Sequence, residues 1–162
     1  MRITTEKLTN LELLQRVCST TIKNKTSKVT LDKMYKCEHS PIRTQIFLIE
    51  MKGIPTFVSV HLVRHNVGVT HFVESNREDR GGSKETNRYT PVNHTMLINA
   101  QALINISRKR LCKQASEETR EIWQAVVESI KEVDPELYPY LVPECKYRNG
   151  ICSELKPCTL IF

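Results

Sequence analysis

Residues 95–111, TMLINAQALINISRKRL, place apolar side chains at helical spacing and end in three cations before a leucine. The apolar positions on one face are Met96, Leu97, Ala100, Leu103, Ile104 and Leu111. This spacing predicts a helix over Thr95–Leu111. Asn99 and Arg110 share one edge of the apolar face, where polar groups line a cleft. Alternatively, the cations 108–110 only complement the helix dipole.

Outward from this segment, other patterns predict further elements. Ser116 is an N-cap for a second helix that Asp134-Pro135 end. The predicted strands are Arg43–Met51, around the apolar run 46–49, and Val67–Val73. Further predicted segments are an opening helix (Thr5–Val17), a loop (Thr20–Thr30), a helix with Pro55 at its first position that runs to about His65, and an exposed loop (Asn76–Pro91).

These elements predict an α+β fold, with a small, mostly antiparallel sheet covered by long helices. The chain has 162 residues and is 40% hydrophobic, which suits one domain over 1–162. From about residue 138 the sequence has no clear period and contains three cysteines, which predicts an irregular tail. We find no internal repeats.

The charge balance favours anionic partners. The chain carries 24 Lys and Arg against 18 Asp and Glu, a formal net charge of +6, and a pI near 9.1. It lacks aromatic RNA-binding strands, zinc-finger spacing and lysine blocks, so nucleic acid is not the expected partner. No apolar run reaches membrane length and no secretory signal is evident, which predicts a cytoplasmic protein with reduced cysteines.

Two short segments carry the polar groups best suited to bind a ligand, Arg64-His65-Asn66 and Ser75-Asn76-Arg77. Together with Arg110 they suggest an anionic ligand such as a nucleotide phosphate. His61 and His65 are four residues apart, and with His71 they leave a metal site open as an alternative. Ser75 has no nucleophile motif around it and is interpreted as a hydroxyl donor or a solvated loop residue.

Four thiols lie in the C-terminal third of the chain, at Cys112, Cys145, Cys152 and Cys158. Their spacing contains no C-x-x-C motif. A structural zinc ion and free thiols both remain open from the sequence, and no cysteine has an obvious activating base beside it.

Together these segments resemble the flavin-dependent thymidylate synthases. That family has an Arg-His-Arg triplet followed by Ser-x-Arg, similar to residues 64–66 and 75–77 here, and an Asn-Ala-Arg-Ser-Leu helix, similar to residues 99–103. The family's uracil-binding arginine matches Arg110. Its upstream His-x-x-Pro resembles the segment His39-Ser40-Pro41. The resemblance covers roughly Glu38 to Trp123.

The resemblance implies a mechanism and a set of roles. FAD is reduced by NADPH, and the reduced flavin passes a methylene from methylenetetrahydrofolate to C5 of dUMP. The product is dTMP, and the enzyme supplies no nucleophile. Arg110 is then catalytic, polarising the uracil carbonyl. The implied substrate-binding residues are Ser75, Arg77, Arg110 and His61. The implied cofactor-binding residues are Arg64, His65, Asn66, Asn99 and Asn105. The family is homotetrameric, with sites shared between subunits.

The chain departs from the family at several positions. Asn66 replaces the third residue of the triplet, Gln101 replaces the helix arginine, and the segment between Arg77 and Asn99 is shorter. Two alternatives therefore stay open. One is a non-catalytic nucleotide-binding module that has lost FAD, and the other is a basic nucleic-acid-binding protein on the same scaffold. The one-carbon group also stays open between methyl and hydroxymethyl.

Overall fold

The structure is a computed structural model that describes residues 1–23 and 25–158. The described strands are β1 (Arg2–Lys7), β2 (Ile46–Pro55), β3 (Val69–Val73) and β4 (Pro91–Asn99). The described helices are α1 (Leu11–Thr20), α2 (Leu31–Cys37), α3 (Thr56–Val63), α4 (Ala100–Arg110), α5 (Glu117–Val133) and α6 (Glu144–Tyr147). The strands form one antiparallel sheet in the order β1-β2-β4-β3. The predicted α+β class is confirmed.

One face of the sheet forms the floor of the core. Its buried side chains are Phe47, Ile49, Met51, Val92, His94, Met96 and Ile98. Alternate residues of a strand point to opposite faces, so a single register buries this whole set. Helix α5 packs against β1, and α3 packs against β2 and β4. Trp123 of α5 is fully buried and donates its indole N–H to Ser107 Oγ of α4 at 2.9 Å.

The helix predicted over Thr95–Leu111 is wrong in its first part. Residues up to Asn99 belong to β4, and the helix begins at Ala100. Met96 is buried while Leu97 lies on the opposite, exposed face, which is strand alternation rather than a helical stripe. The backbone groups of β4 pair with β2 on one side and β3 on the other. These long-range hydrogen bonds override the local helical pattern.

The opening of the chain also differs from the prediction. Residues Arg2–Lys7 pair with β2 as a strand, although the sequence predicted a helix from Thr5. Asn10 then caps α1 by accepting from the Leu13 N–H at 3.1 Å. Helix α2 was not predicted. The predictions of β2, α3, β3 and α5 are confirmed, although Pro55 is the N-cap of α3 rather than its first residue.

A buried ion pair ties the first strand to the end of α5. Asp134 Oδ2 lies 2.7 Å from Lys7 Nζ and accepts a hydrogen bond from the Tyr35 hydroxyl at 2.7 Å. Its Oδ1 accepts from the Leu137 N–H at 3.2 Å. Burial and then Asp134 raise the pKa of Tyr35, so its hydroxyl stays a donor. Three segments distant in sequence therefore meet at one carboxylate.

The tail is mostly irregular where it is described. It contains a 3-10 turn at Tyr138–Tyr140 and the short helix α6. Residues 159–162 of the predicted tail lie outside the described part.

None of the described helices combines the length and the apolar character that a bilayer-spanning segment needs.

Candidate functional site

Arg110, the last residue of α4, bridges to α3 and to His65, just beyond the end of α3, through two hydrogen bonds. Its Nε–H donates to His65 Nε2 at 2.8 Å, and its Nη2 donates to the His61 carbonyl at 2.7 Å. An imidazole nitrogen that accepts carries no proton, so His65 carries its proton on Nδ1. The structure thus brings Arg110, His61 and His65 together, although they are up to 49 residues apart.

His61 is also held by the start of α5. Its Nδ1 lies 3.0 Å from Thr119 Oγ1, which accepts a hydrogen bond from Ser116 Oγ at 2.9 Å. The hydroxyl proton of Thr119 is therefore available for His61 Nδ1. When Thr119 donates to Nδ1, His61 carries its own proton on Nε2. In that tautomer both histidines beside Arg110 present an N–H donor.

The charges of three guanidinium groups lower the pKa of His61. Burial lowers the pKa of His61 most, followed by the charges of Arg110, Arg64 and Arg88, while Glu118 opposes with the smallest effect. Among residues 1–23 and 25–158, neither Arg64 nor Arg88 forms an ion pair. The cluster therefore has excess positive charge and many hydrogen-bond donors, which suits an anionic ligand rich in acceptors.

Arg88 was missed by the sequence analysis. It lies in the loop before β4, whose main chain caps α3: the N–H groups of Thr56 and Phe57 donate to the carbonyls of Thr90 and Arg88, both at 3.0 Å. The first N–H groups of a helix need such partners. The Arg88 guanidinium lies 4.4 Å from the Phe57 ring centroid. No local motif marks this arginine, because only the cap places it beside α3.

Ser75 and Arg77 contact one another rather than Arg110. The Arg77 N–H donates to Ser75 Oγ at 3.3 Å, and the Arg77 guanidinium pairs with Asp79 at 2.8 and 2.9 Å. This ion pair is exposed on both sides. Exposed pairs contribute only about 0–1 kcal/mol, so a phosphate can displace Asp79 at little cost.

Asn99 serves the backbone in this structure. Its Oδ1 accepts from the Ala102 N–H at 2.9 Å and so caps α4, while its own N–H donates to the Gly68 carbonyl at 3.0 Å. Gly68 has φ +75°, and a Cβ there would lie 2.5 Å from Asn99 Nδ2. The cap of α4 therefore depends on a glycine at position 68.

Gly68→Ala is expected to lower the free energy of unfolding by about 1–3 kcal/mol, from left-handed strain and displacement of the Asn99 cap. Urea denaturation measures this change. Gly53→Ala is the matched control, because Gly53 has φ +71° but its nearest contact would be 3.9 Å away. Equal losses in the two variants would show that displacement of the Asn99 cap adds nothing to the backbone strain.

Asn66 and Asn105, which were also predicted to bind the cofactor, lie at the surface. Asn66 is exposed, and Asn105 is exposed with its Oδ1 3.3 Å from Gln101 Nε2. Gln101 donates more closely to Glu38, at 2.8 Å. Glu38 also pairs with Arg108, whose guanidinium lies 3.6 Å from the Tyr147 ring centroid. The position where the related family has arginine is therefore occupied here by an internal contact.

Two histidines near the site are held neutral. The pKa of His65 is lowered to about 4 by burial, Arg110 and His71, and the pKa of His94 is lowered to about 4 by burial and His71. The folded protein therefore resists protonation at both rings, whereas the unfolded chain takes up these protons near pH 6.5.

Stability is therefore expected to fall as the pH drops from 6.5 towards 4. Each lowered histidine contributes a slope of up to about 1.4 kcal/mol per pH unit, so two predict a loss of about 2–4 kcal/mol between pH 7 and pH 5. Urea denaturation at several pH values tests this. His94→Gln removes one of the two groups and should give a shallower slope, whereas a flat wild-type profile would contradict the assignment.

The four late cysteines line one cleft between α5 and the tail, with a volume of about 770 Å³. Cys112, Cys145, Cys152 and Cys158 are free thiols there, and the pKa of Cys145 is raised mainly by burial. Within the described part of the chain, no three His, Cys, Asp or Glu side chains are grouped closely enough to hold a metal ion. This cleft shares no lining residue with the Arg110 cluster.

Comparison with solved structures defines the class of fold. The thymidylate synthase ThyX from Helicobacter pylori, solved with FAD and dUMP, superposes with TM-scores of 0.66 and 0.64 in two structures at 15% and 14% identity. The matches cover 90% and 89% of this chain and 99% of those chains. The UMP/dUMP methylase PolB from Streptomyces cacaoi, bound with 5-Br dUMP, gives 0.64 at 12% identity, over 86% of this chain and 94% of that one. The chain has the fold of these proteins.

The sequence comparison points the same way. The family described as thymidylate synthase complementing protein matches residues 86–136, the segment that contains Arg88, Asn99 and Arg110. No curated protein sequence matches the chain. The resemblance to flavin-dependent thymidylate synthases is therefore confirmed by a family match over that segment and by the fold over most of the chain.

Proposed function

We propose that the chain binds a pyrimidine deoxynucleotide at the Arg110 cluster and transfers a one-carbon unit to its C5 with the help of a flavin. The standard form of this reaction converts dUMP to dTMP, with methylenetetrahydrofolate as donor and NADPH as reductant. Support comes from the fold, from the family match, and from the ligands bound in the similar structures, which are dUMP, 5-Br dUMP and FAD.

The donor character of the cluster carries the proposal. Arg110 and His65 Nδ1–H offer protons, and His61 offers one from Nε2 when Thr119 donates to its Nδ1. Arg64 and Arg88 add positive charge without ion-pair partners in the described chain. A uracil ring presents two carbonyl acceptors and a phosphate presents several more. The site and a uridine nucleotide are therefore complementary in hydrogen bonding and in charge.

The proposed roles of individual residues follow from this complementarity. Arg110 donates to a uracil carbonyl and stabilises the charge that develops on the ring, and its bonds to α3 fix its direction. His61 donates from Nε2 to the nucleotide. Ser75 and Arg77 hold the phosphate after Asp79 is displaced, and Arg88 adds a further cation nearby.

The donor set also fits the diphosphate of FAD. Arg64 forms no ion pair in the described chain, and Asn66 and Asn105 are exposed amides. We assign these three residues, with His65 and the remaining donor of Asn99, to cofactor binding. Bound FAD would supply the reducing electrons of the transfer. The protein side chains bind and orient both nucleotides.

A homotetramer completes the proposal. The outer face of the sheet exposes apolar side chains, with Phe72 58% and Leu97 37% exposed. Phe72 pairs across the strands with Thr95, and Leu97 pairs with Thr70, so the two apolar residues are diagonal neighbours on one face. An exposed apolar patch of this kind favours association. Light scattering on the purified protein tests the assembly.

One assay decides the catalytic proposal. Purified protein is incubated with dUMP, FAD, NADPH and methylenetetrahydrofolate, and dTMP formation is followed by chromatography. Turnover that requires each component supports the proposal. Absence of turnover in a protein that retains added FAD after desalting would overturn the standard reaction.

A non-catalytic nucleotide-binding module is the second candidate. It is favoured by the contact from Gln101 to Glu38, which occupies the position where the family has arginine, and by the uncharged Asn66. A colourless protein that fails to retain FAD but binds dUMP would support it. One domain over residues 1–162 and a cytoplasmic location stay predictions of the sequence.

A further inference from the structure

A continuous chain of hydrogen bonds connects the middle of α3 to the candidate site. Ser59 Oγ lies 3.0 Å from His94 Nδ1, and His94 Nε2 lies 2.9 Å from His71 Nδ1. His71 Nε2 then lies 2.8 Å from the main-chain carbonyl of His65. Neither Ser59, His71 nor His94 has a role in the proposed reaction. We call these three residues the histidine chain.

The hydrogen bonds of the histidine chain all run in one direction. A carbonyl oxygen only accepts, so His71 carries its proton on Nε2 and its Nδ1 accepts. His94 must then donate from Nε2, and its Nδ1 accepts from the Ser59 hydroxyl. The carbonyl at one end therefore sets the tautomer of every ring along the chain.

Burial makes this arrangement hard to rearrange. His94 has no exposed surface and Ser59 is 3% exposed, so neither side chain can exchange its partner for bulk water. A donor or acceptor left unpaired at such a position costs about 1–3 kcal/mol. The lowered pKa of His94 agrees with a neutral ring.

The end of the chain is the residue that Arg110 contacts. The His65 N–H donates to the Leu62 carbonyl at 3.0 Å, its carbonyl accepts from His71, and its Nε2 accepts from Arg110. With these three groups occupied, Nδ1–H is the remaining donor of the residue. The direction of this Nδ1–H is fixed by the backbone hydrogen bonds to Leu62 and His71 and by the bond from Arg110 to the ring.

We propose that Ser59, His94 and His71 are positioning residues that hold the His65 backbone, so that its Nδ1–H and the adjoining Arg110 point at one acceptor-bearing ligand. This inference rests on the proposed function only for the identity of that ligand, a uridine nucleotide. The ring tautomers are a property of the protein alone.

The first test reads these tautomers without ligand. Protein labelled with ¹⁵N-histidine is examined near pH 7 by long-range ¹H–¹⁵N correlation NMR, which separates the two neutral tautomers and the imidazolium. His71 and His94 are expected as Nε2–H tautomers and His65 as the Nδ1–H tautomer. A proton on Nδ1 of either His71 or His94 would overturn the proposal.

The second test removes the donor at the start of the chain. Ser59→Ala leaves His94 Nδ1 without a donor while the His65 carbonyl still sets the tautomers. The His94 Nδ1 and His65 ring signals should therefore shift, and the dUMP dissociation constant should rise about three- to tenfold. Ser59→Thr restores the hydroxyl and should restore both readouts. Thr70→Ala, on an exposed residue beside His71, is the control and should change neither.

Unchanged His65 ring signals and unchanged dUMP affinity in Ser59→Ala would also overturn the proposal. If a variant at Ser59 does not fold, His71→Phe gives the same test at the other end, through the His65 ring signals. A wild-type protein that binds no dUMP, but whose His65 signals change in Ser59→Ala, would keep the positioning role and remove the proposed function instead.

Discussion

Arg110→Ala is expected to weaken dUMP binding by about 30- to 100-fold, or about 2–2.7 kcal/mol. The loss has two sources. The ligand loses a charge-assisted hydrogen bond, which contributes about 1.5–3 kcal/mol. In addition, His65 Nε2 and the His61 carbonyl lose their donor, so the neighbouring donors are no longer held in place. Isothermal titration calorimetry with dUMP measures the change.

Lys109→Ala is the matched control for Arg110→Ala. It removes one positive charge from the adjacent position, but Lys109 is exposed, and within the described chain its only ion pair is with Glu154, at 3.7 Å. Its effect on dUMP affinity should stay within about twofold, because screened surface charge contributes little. If the two variants lose affinity equally, the cluster acts through net charge and Arg110 has no specific contact with the nucleotide.

Asp134→Asn is expected to lower the free energy of unfolding by about 3–5 kcal/mol, the largest stability effect that we predict. The asparagine keeps the size of the side chain but leaves the Lys7 ammonium unpaired, with only 15% of that side chain exposed. It also weakens the acceptor for the Tyr35 hydroxyl. Urea denaturation monitored by the fluorescence of Trp123 provides the measurement.

The double variant Lys7→Met with Asp134→Asn separates the two contributions. Removing the ammonium together with its partner leaves no unpaired buried charge, so part of the lost stability should return. A double variant less stable than Asp134→Asn alone would show that the Lys7 side chain stabilises the fold by packing rather than by its charge.

Much of the fold was predictable where one local pattern acts alone. Helix α5 has an amphipathic repeat, acidic residues in its first turn and Asp134-Pro135 after its end, and the structure confirms it. Residues 5–7 and 95–99 were predicted as helix because they precede true helices in the chain. The alternation of Val92, His94, Met96 and Ile98 was the strand signal that the helical interpretation overlooked.

The candidate site was predictable in its members more than in its contacts. Sequence reasoning singled out Arg110, His61 and His65, and the structure brings these three together. It missed Arg88, because the main chain around that residue reaches the site only by capping α3. It also placed Asn99 inside a helix, whereas Asn99 is the cap at its start.

The sequence by itself determined the fold class, the strong amphipathic helices and the cationic residues available for a ligand, because periodicity, caps and charge act between near neighbours in the chain. Only the tertiary structure decided which cations meet, which imidazole nitrogens carry protons, and that Asp134 joins Lys7 to Tyr35. Those properties depend on distances between residues that are far apart in sequence. The pairing of strands and the packing of helices fix such distances, and no local pattern encodes them.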